Sequence, residues 1–446
     1  MVRGLLMRVC RWVTAVEWLV LAALLPLVLL PSPVRAVALL VIPLVWLARW
    51  GATGHLVPPT PVDWSLLGLL LMALLSEYAT YDMANSLGKL MGLVYGVAVF
   101  YAVVQWVGGA PRRLWWGVAV LYAAVLGLAG ASLVLFGWMG SVPGLAGLQA
   151  LVPVQAVALV PAGGAVNPNE VAGALLWLLP LAALLAGTAV LRFRSLARRF
   201  HWWGAALLVL LLAGTAVGLL GVLVLTRSRG ALLGMAAALV LMGVVGLTAV
   251  SRKLAAALVV GGLALLAAGV MVVGPERVTA VVAAQAGLDS GDPLNTLAGR
   301  EEIWSRAIYG LQDFPFTGMG MNNFRQVVHI LYPLFLVSPD TDIAHAHNHW
   351  LQAGLDLGIP GMIAYMALWL GLAWMLWQAW RQARDGWLRA LALGFAGCLA
   401  AYFVYGLVDT VALGARPGFV FWGLVGLIAA LHRVGNEERG TGNDER

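Results

Sequence analysis

Long apolar runs alternate with short polar links along most of the chain. Twelve runs have about the length, 18 residues or more, that a helix needs to cross a bilayer core of about 30 Å. Backbone groups in lipid must bond within their own segment, so these runs are expected to be helices. The pattern predicts an all-α polytopic membrane protein with about 12 transmembrane helices. They cover roughly residues 12–31, 34–50, 63–80, 86–106, 114–137, 170–191, 203–225, 230–250, 254–273, 359–380, 387–411 and 417–433.

Composition supports this fold class. Hydrophobic residues make up 62% of the chain and charged residues 11%. A porin-like barrel would alternate apolar and polar residues, which this excess of apolar residues excludes. Arg3, Arg8 and Arg11 precede the first run as in a signal peptide, but that run is long and more spans follow at once, so we interpret it as an uncleaved span. Cys10 and Cys398 predict neither a disulfide framework nor a metal cluster.

The basic residues predict the orientation. If the N-terminus is cytoplasmic, two thirds of the 27 Lys and Arg residues fall on the cytoplasmic side, as the positive-inside rule requires. The net charge of +7 is therefore an orientation signal, not a mark of nucleic-acid binding, and both termini are expected in the cytoplasm. The remaining basic residues lie at the outer side, where an anionic ligand would explain some of them: Arg35, Lys89, Arg227, Arg229, Arg277, Arg300, Arg306, Arg325 and Arg416. For Arg35, Lys89 and Arg416 we prefer interfacial snorkelling or a local ion pair.

Two outer segments are longer than turns. The segment 138–169 has no charged residue until Glu170, and its last residues, Asn167-Pro168-Asn169, open the sixth span either as a helix cap or as a polar lining of a substrate path. The segment 274–358 carries nine acidic residues and predicts a small water-facing domain. The predicted organisation is 1–273 with spans one to nine, 274–358 as a periplasmic loop domain with the catalytic motif, 359–433 with the last three spans, and 434–446 as a polar cytoplasmic tail.

Helical spacing of apolar residues predicts two helices in the loop domain, at 300–312 and at about 321–332. Between them, Gly318-Met319-Gly320 predicts a flexible turn. Its spacing is not a dinucleotide fingerprint and no strand precedes it, so no cofactor role is expected. The first helix is expected to bury one face, made of Ile303, Trp304, Ala307, Ile308 and Leu311.

Three arginines are candidates for binding an anion. Arg227 and Arg229 flank Ser228 between two spans, and a guanidinium binds phosphate with paired hydrogen bonds. Interfacial anchoring is the alternative for this pair. Arg300 begins the amphipathic helix, where the helix terminus already favours anions. Its alternative role is a salt bridge to Glu301 or Glu302.

The sequence His345-Ala346-His347-Asn348-His349 holds the candidate chemistry. On a strand the three histidines would share a face and could bind a metal with Asp340 or Asp342 nearby. From Asn348 onward the pattern is helical, and on a helix they would diverge, so we predict no metal site. A single histidine acting as general base near neutral pH fits better. We expect it on a short outer helix that breaks at Gly358-Ile359-Pro360-Gly361.

An outer-face pocket with several arginines and one base meets the needs of transfer from a lipid pyrophosphate. Arginine would stabilise the leaving pyrophosphate, and the base would take the proton of an attacking hydroxyl. The sequence contains no recognisable nucleotide domain or acidic metal motif, which favours an activated lipid donor over a nucleotide sugar. A transporter or flippase is the alternative from another class. Transporters often carry inverted repeats and broken helices at the midplane, whereas this sequence has no evident repeat and its polar signals gather at the outer face.

These residues resemble one family. His347-Asn348, nine residues and then Gly358-Ile359-Pro360-Gly361 is similar to the His-Asn-x9-Gly-x-x-Gly signature of the O-antigen ligases, whose superfamily includes the O-antigen polymerases. Arg229 with Leu233 resembles the Arg-x3-Leu element of the ligases. The resemblance covers about residues 165–375, including the Asn167–Glu170 turn and Arg300, Trp304 and Gly318-Met319-Gly320. Met362 departs from the threonine that ligases often have after the last glycine.

The resemblance implies a metal-independent, inverting glycosyltransferase of the GT-C type, without a cofactor, in the bacterial inner membrane. It would move a glycan from undecaprenyl pyrophosphate to a sugar hydroxyl of lipid A–core, or of another surface glycan, at the periplasmic face. The resemblance also implies that His347 is the base and that Arg229 and Arg300 contact the pyrophosphate. Arg227 and Asn348 are weaker candidates and Asn169 is a supporting one. An O-antigen polymerase or a protein O-glycan transferase of the same superfamily stays open.

Overall fold

A computed structural model describes residues 2–138, 167–248, 250–274, 276–277 and 297–444. Within these ranges the regular structure is helical and no strand occurs, and the protein is an all-α polytopic membrane protein. Two 3-10 turns, Val37–Leu40 and Glu77–Ala79, accompany the α-helices. The α-helices are α1 (Val2–Ala15), α2 (Glu17–Leu29), α3 (Pro33–Ala36), α4 (Val41–Thr53), α5 (Asp63–Ser76), α6 (Met83–Val107), α7 (Pro111–Leu135), α8 (Pro168–Leu175), α9 (Leu179–Leu191), α10 (Phe193–Leu225), α11 (Arg229–Thr248), α12 (Arg252–Val273), α13 (Leu297–Asp313), α14 (Phe324–Leu331), α15 (His349–Gln382), α16 (Gly386–Gly406) and α17 (Gly418–Asp444).

Each predicted apolar run coincides with helix in the described residues. Among them, nine helices are long and apolar enough to cross a membrane, and a bent pair, Met7–Ala15 with Glu17–Leu29, makes ten if it counts as one span. One difference concerns the run 387–411. Its helix, α16, ends at Gly406, which leaves Asp409 in the non-helical link to α17.

The chain divides into two compact units. The first comprises Met1–Val118, Gly291–Ala383 and Asp409–Arg446. In it α6 packs against α17 and α5 packs against α15. The α6–α17 contact is close because Gly96 lies against the indole of Trp422, and a Cβ at this position would overlap that ring. Small residues allow two apolar helices to approach in this way.

The first unit also contains a part built on its own apolar cluster. Helix α13, α14 and the first turns of α15 enclose Ile303, Ala307, Phe324 and Leu355, which are at most 1% exposed. The helix predicted at 300–312 is confirmed as α13. Its predicted buried face was too wide, because Ile308 is 45% exposed. The second predicted helix is confirmed in a shorter form, α14.

The predicted break at Gly358 is confirmed as a bend inside α15. Gly358 has φ +71°, and the helix continues on both sides of it. The Met319 N–H donates to the Leu355 carbonyl at 2.7 Å, and the Ile359 N–H donates to the Pro315 carbonyl at 2.7 Å. These bonds clamp the loop after α13 onto the bend. A Cβ at Gly358 would overlap the Phe316 carbonyl, so the close approach requires glycine.

The second unit comprises Ala119–Ser290 and Arg384–Val408. In it α9 packs against α10 and α16, and α11 packs along α16. Asn167 caps α8, since its side chain accepts the Asn169 N–H at 2.9 Å. The predicted start of the sixth span at this turn is therefore confirmed, and the cap interpretation of Asn167 with it.

Candidate functional site

His347 precedes the helix on which we expected it. Helix α15 begins at His349, with Asn348 as its N-cap. The Asn348 side chain accepts hydrogen bonds from the N–H groups of Trp350 at 3.0 Å and Leu351 at 3.1 Å, as is usual for an asparagine at an N-cap. The placement of His347 on a short helix was therefore wrong, because a cap has non-helical backbone and the chain before it is irregular. His347 has φ +50°, in the left-handed region.

Two histidines of this loop face one carboxylate. Oδ1 of Asp409 lies 3.4 Å from Nδ1 of His347 and 3.6 Å from Nε2 of His345. The same oxygen accepts the Thr410 N–H at 2.8 Å. All three ionisable side chains are buried, and the two imidazole centroids are 4.4 Å apart. The backbone of the loop thus brings His345 and His347 together at one carboxylate.

Hydrogen bonding assigns the position of the proton on each ring. Nδ1 of His345 accepts the His347 N–H at 3.3 Å, so the proton of this neutral imidazole is on Nε2, directed to Asp409. In His347 it is Nδ1 that faces the carboxylate, which assigns the proton to Nδ1 and leaves the lone pair on Nε2. His347 therefore has a basic nitrogen held in one tautomer.

The charges of the cluster are set by burial and by its neighbours. The pKa of His345 is lowered to about 3, mainly by burial and also by the adjacent His347, against the opposing effect of Asp409. Burial alone would raise the pKa of Asp409, but the facing imidazole of His347 and the nearby positive charges hold it below its usual range. At neutral pH a neutral His345 and an ionised Asp409 result. An ionised carboxylate next to His347 stabilises the imidazolium that forms when Nε2 takes a proton.

The ligand atoms of His345, His347 and Asp409 lie within 4.8 Å of one another, a spacing that could hold a metal ion. In the tautomers assigned above, both ring nitrogens that face Asp409 carry a proton, so a metal ion would have to displace both protons. Asp342, which the metal alternative invoked, instead forms an exposed ion pair with Arg325. The donor set thus fits a hydrogen-bonded base better than a metal centre.

Arg300 is buried in the first turns of α13, at 7% exposure. Its Nε and Nη1 have no hydrogen-bond partner among the described residues. Glu302, an expected partner, binds Arg306 and the N–H groups at 335 and 336 instead. Arg300 is close enough to act electrostatically on His345 and Asp409. A buried guanidinium with open donors is suited to a phosphate oxygen.

The other predicted site residues belong to the second unit. Arg229 is the first residue of α11, and Arg227 has φ +55° in the turn before it; both side chains are exposed. Asn169 is half-buried, and its carbonyl accepts the Tyr405 hydroxyl at 2.7 Å. Their part in a site with His347 stays a prediction.

Two residues near His347 were missed from the sequence. Asp409 was included in an apolar run that we took as one continuous span. An acid inside such a run is costly in lipid and marks either a functional site or the end of the span, which is the signal that could have found it. Lys89 was interpreted as an interfacial anchor. It is half-buried in α6 and, like Arg300, acts electrostatically on His345.

Residues 214–366 match the family described as O-antigen ligase. The similarity to the O-antigen ligase family is carried by this segment of the chain. The matched segment includes Arg227, Arg229, Arg300 and the histidine motif through Gly361, whereas Asn169 and Asp409 lie outside it. No curated protein matches the chain. The family indicates a membrane enzyme of the ligase and polymerase type, which acts on lipid-linked glycans.

Proposed function

We propose that this protein is an O-antigen ligase. It transfers a glycan from undecaprenyl pyrophosphate to a sugar hydroxyl of lipid A–core, or of another surface glycan, at the periplasmic face of the bacterial inner membrane. Both chain termini are then cytoplasmic. The observation that carries the proposal is the buried His347–Asp409 pair beside Arg300, whose guanidinium has open hydrogen-bond donors.

In the proposed reaction His347 is the general base. The acceptor hydroxyl oxygen attacks the anomeric carbon of the donor sugar, and a new C–O bond forms. The bond from that carbon to the pyrophosphate oxygen breaks, and undecaprenyl pyrophosphate leaves with the electron pair. The hydroxyl proton passes to Nε2 of His347, and the ionised Asp409 stabilises the imidazolium. Attack opposite the leaving group inverts the anomeric centre.

Arg300 binds the leaving pyrophosphate. Negative charge grows on the bridging oxygen as the bond breaks, and a preorganised guanidinium stabilises it without a metal ion. This supports a metal-independent reaction. Lys89 adds a second positive charge that acts on His345.

Arg229 is a second pyrophosphate ligand in this proposal, by family resemblance, and Arg227 a weaker one. Asn348, the residue after the base, acts as the N-cap of α15, which fixes its own position. Asn169 supports the turn before α8, where the Tyr405 hydroxyl holds its carbonyl.

Transfer by the purified full-length protein in lipid nanodiscs tests the proposal. The protein is given a polyprenyl-pyrophosphate-linked glycan and a lipid A–core acceptor, and products are separated on a gel. A ladder on the acceptor is expected from the wild type and none from His347→Ala. His329→Ala is the matched control, since this histidine lies on α14 and binds the Thr341 carbonyl at 2.8 Å.

Two outcomes overturn the ligase assignment. Longer lipid-linked chains without acceptor indicate polymerisation, and movement of the donor across the membrane without a new bond indicates transport.

Other outcomes overturn single parts of the mechanism. Wild-type transfer by a correctly inserted His347→Ala variant removes the base assignment. Loss of activity in EDTA, restored by a divalent cation, removes metal independence. Unchanged donor use by Arg229→Ala removes its pyrophosphate role, with Arg227→Ala as the neighbouring comparison.

A further inference from the structure

A buried chain of hydrogen bonds connects the histidine loop to α15. The N–H of Ala346, the residue between His345 and His347, donates to Oε1 of Gln352 at 2.8 Å. Nε2 of Gln352 donates to Oδ1 of Asp356 at 2.8 Å. Gln352 is 3% exposed and Asp356 is 1% exposed. Neither side chain has a role in the transfer step described above.

The helix geometry explains why these residues act together. Asn348, Gln352 and Asp356 are spaced by four residues, so they share one face of α15. Asn348 caps the helix, and the next two side chains along this face extend the connection inward. Because Asp356 accepts the Gln352 amide through Nε2–H, the carbonyl Oε1 is left directed at Ala346. The carboxylate thus decides which end of the amide faces the loop.

The loop requires such a connection because its backbone is strained. A left-handed conformation costs a non-glycine residue about 1–2 kcal/mol and persists only when its surroundings hold it. His347 has φ +50°. Asp356 Oδ1 also accepts the N–H of Asn322 at 3.0 Å, and Asn322 is itself left-handed, with φ +64°. One buried carboxylate therefore supports two strained positions.

We propose that Gln352 and Asp356 are positioning residues that hold the His347 imidazole in its reactive orientation through the Ala346 N–H. Their effect on catalysis rests on the proposed function, but their effect on the loop does not. We call the hydrogen bonds from Ala346 to Gln352 and from Gln352 to Asp356 the relay. Its second bond provides the test, because one substitution can break this bond and a second can restore it with donor and acceptor exchanged.

Gln352→Glu breaks the relay. The new carboxylate still accepts the Ala346 N–H, but it lies against the Asp356 carboxylate, and the two can bond only by taking up a shared proton. Activity is therefore measured from about pH 6 to about pH 9, and the loss is expected at the alkaline end, where that proton is released. We expect kcat to fall at least about tenfold, the effect of losing one buried hydrogen bond, with little change in the donor KM. Adding Asp356→Asn rebuilds the relay: the new amide at 356 donates to the carboxylate at 352, while its oxygen accepts the Asn322 N–H. We expect kcat of the double variant to return to within about threefold of the wild type, as interacting sites are non-additive.

Gln378→Glu is the matched control on the same helix, since Gln378 only accepts, from Gln382 at 3.0 Å. This variant should keep the wild-type kcat. The proposal is overturned if Gln352→Glu is fully active, or if the double variant regains the wild-type unfolding midpoint but not the rate. A rate that the second substitution fails to restore would mean that the relay acts only on stability.

A second readout is independent of glycan transfer. Diethylpyrocarbonate modifies exposed imidazoles, and mass spectrometry measures the modification of His347 in each variant without substrate. Gln352→Glu should raise the rate at His347 relative to His329, and the double variant should lower it again. If the wild type transfers no glycan, the proposed function fails. The modification rates of His347 then still test whether the relay positions this side chain. Equal modification of His347 in all three proteins overturns it.

Discussion

Nδ1 of His347 and Oδ1 of Asp409 lie 3.4 Å apart, and this relationship defines the base. The distance is long for a finished hydrogen bond, as is common in enzymes before substrate is bound. It nevertheless fixes which nitrogen of His347 carries the proton. Since Asp409 lies beyond α16 and His347 before α15, the fold and not the local sequence creates the pair.

Asp409→Asn should lower kcat by about 10²–10⁴, the usual contribution of a general base. A neutral carboxamide cannot stabilise the imidazolium, and its NH₂ can turn to Nδ1 and shift the proton of His347 to Nε2. Steady-state kinetics with lipid-linked donor and acceptor measure the effect, with the donor KM expected to change little. Asp340→Asn is the control, because Asp340 is exposed. A wild-type kcat for Asp409→Asn would contradict the pairing argument.

Arg300→Lys should raise the donor KM about tenfold or more. The ammonium keeps the charge but loses the planar fork that binds two phosphate oxygens, and a charged hydrogen bond is worth about 1.5–3 kcal/mol. A donor titration at saturating acceptor measures this. Arg325→Lys serves as the control, because its ion pair with Asp342 is exposed and contributes little. If the two variants have the same KM as the wild type, Arg300 does not bind the donor.

The apolar pattern predicted most of the architecture because lipid leaves a helix as the main solution for each long run. It also located the bend at Gly358, since a glycine two residues before Pro360 interrupts a helix in a recognisable way. The pattern could not show that His345 and His347 share Asp409. That contact depends on where α16 ends and on the left-handed backbone at His347, which only tertiary packing fixes. The open donors of Arg300 likewise depend on Glu302 binding elsewhere.

His345 should make the stability of the protein sensitive to acid. Its pKa is lowered from the ordinary 6.5 to about 3, mainly by burial. Between these values the unfolded chain binds one more proton than the folded chain, so the free energy of unfolding rises with pH in this window and falls on acidification. One proton corresponds to about 1.4 kcal/mol per pH unit. The lowered pKa of Asp409 acts only below its ordinary 3.8, so it does not contribute between pH 5 and 6.5.

Unfolding midpoints of the wild type and of His345→Asn, recorded in detergent from pH 7.5 to pH 5, measure this effect. The variant keeps an acceptor near the His347 N–H but has no titrating group. Its midpoint should therefore fall less on acidification than that of the wild type. Parallel curves would show that His345 is not held neutral by the fold.

Gly358→Ala should lower the free energy of unfolding by about 2 kcal/mol or more. A side chain at φ +71° costs about 1–2 kcal/mol, and its Cβ also overlaps the Phe316 carbonyl, which forces the clamped loop to move. The midpoint of thermal unfolding measures the loss. Gly423→Ala is the control, because this helical glycine in α17 has nothing within 4 Å of an added Cβ, and alanine should there be neutral or stabilising. Since the loop at Met319 is bonded to Leu355, on the helical segment that carries Gln352 and Asp356, glycan transfer should fall together with stability. A Gly358→Ala variant with the wild-type midpoint would mean that the glycine of the motif is not required by this close approach.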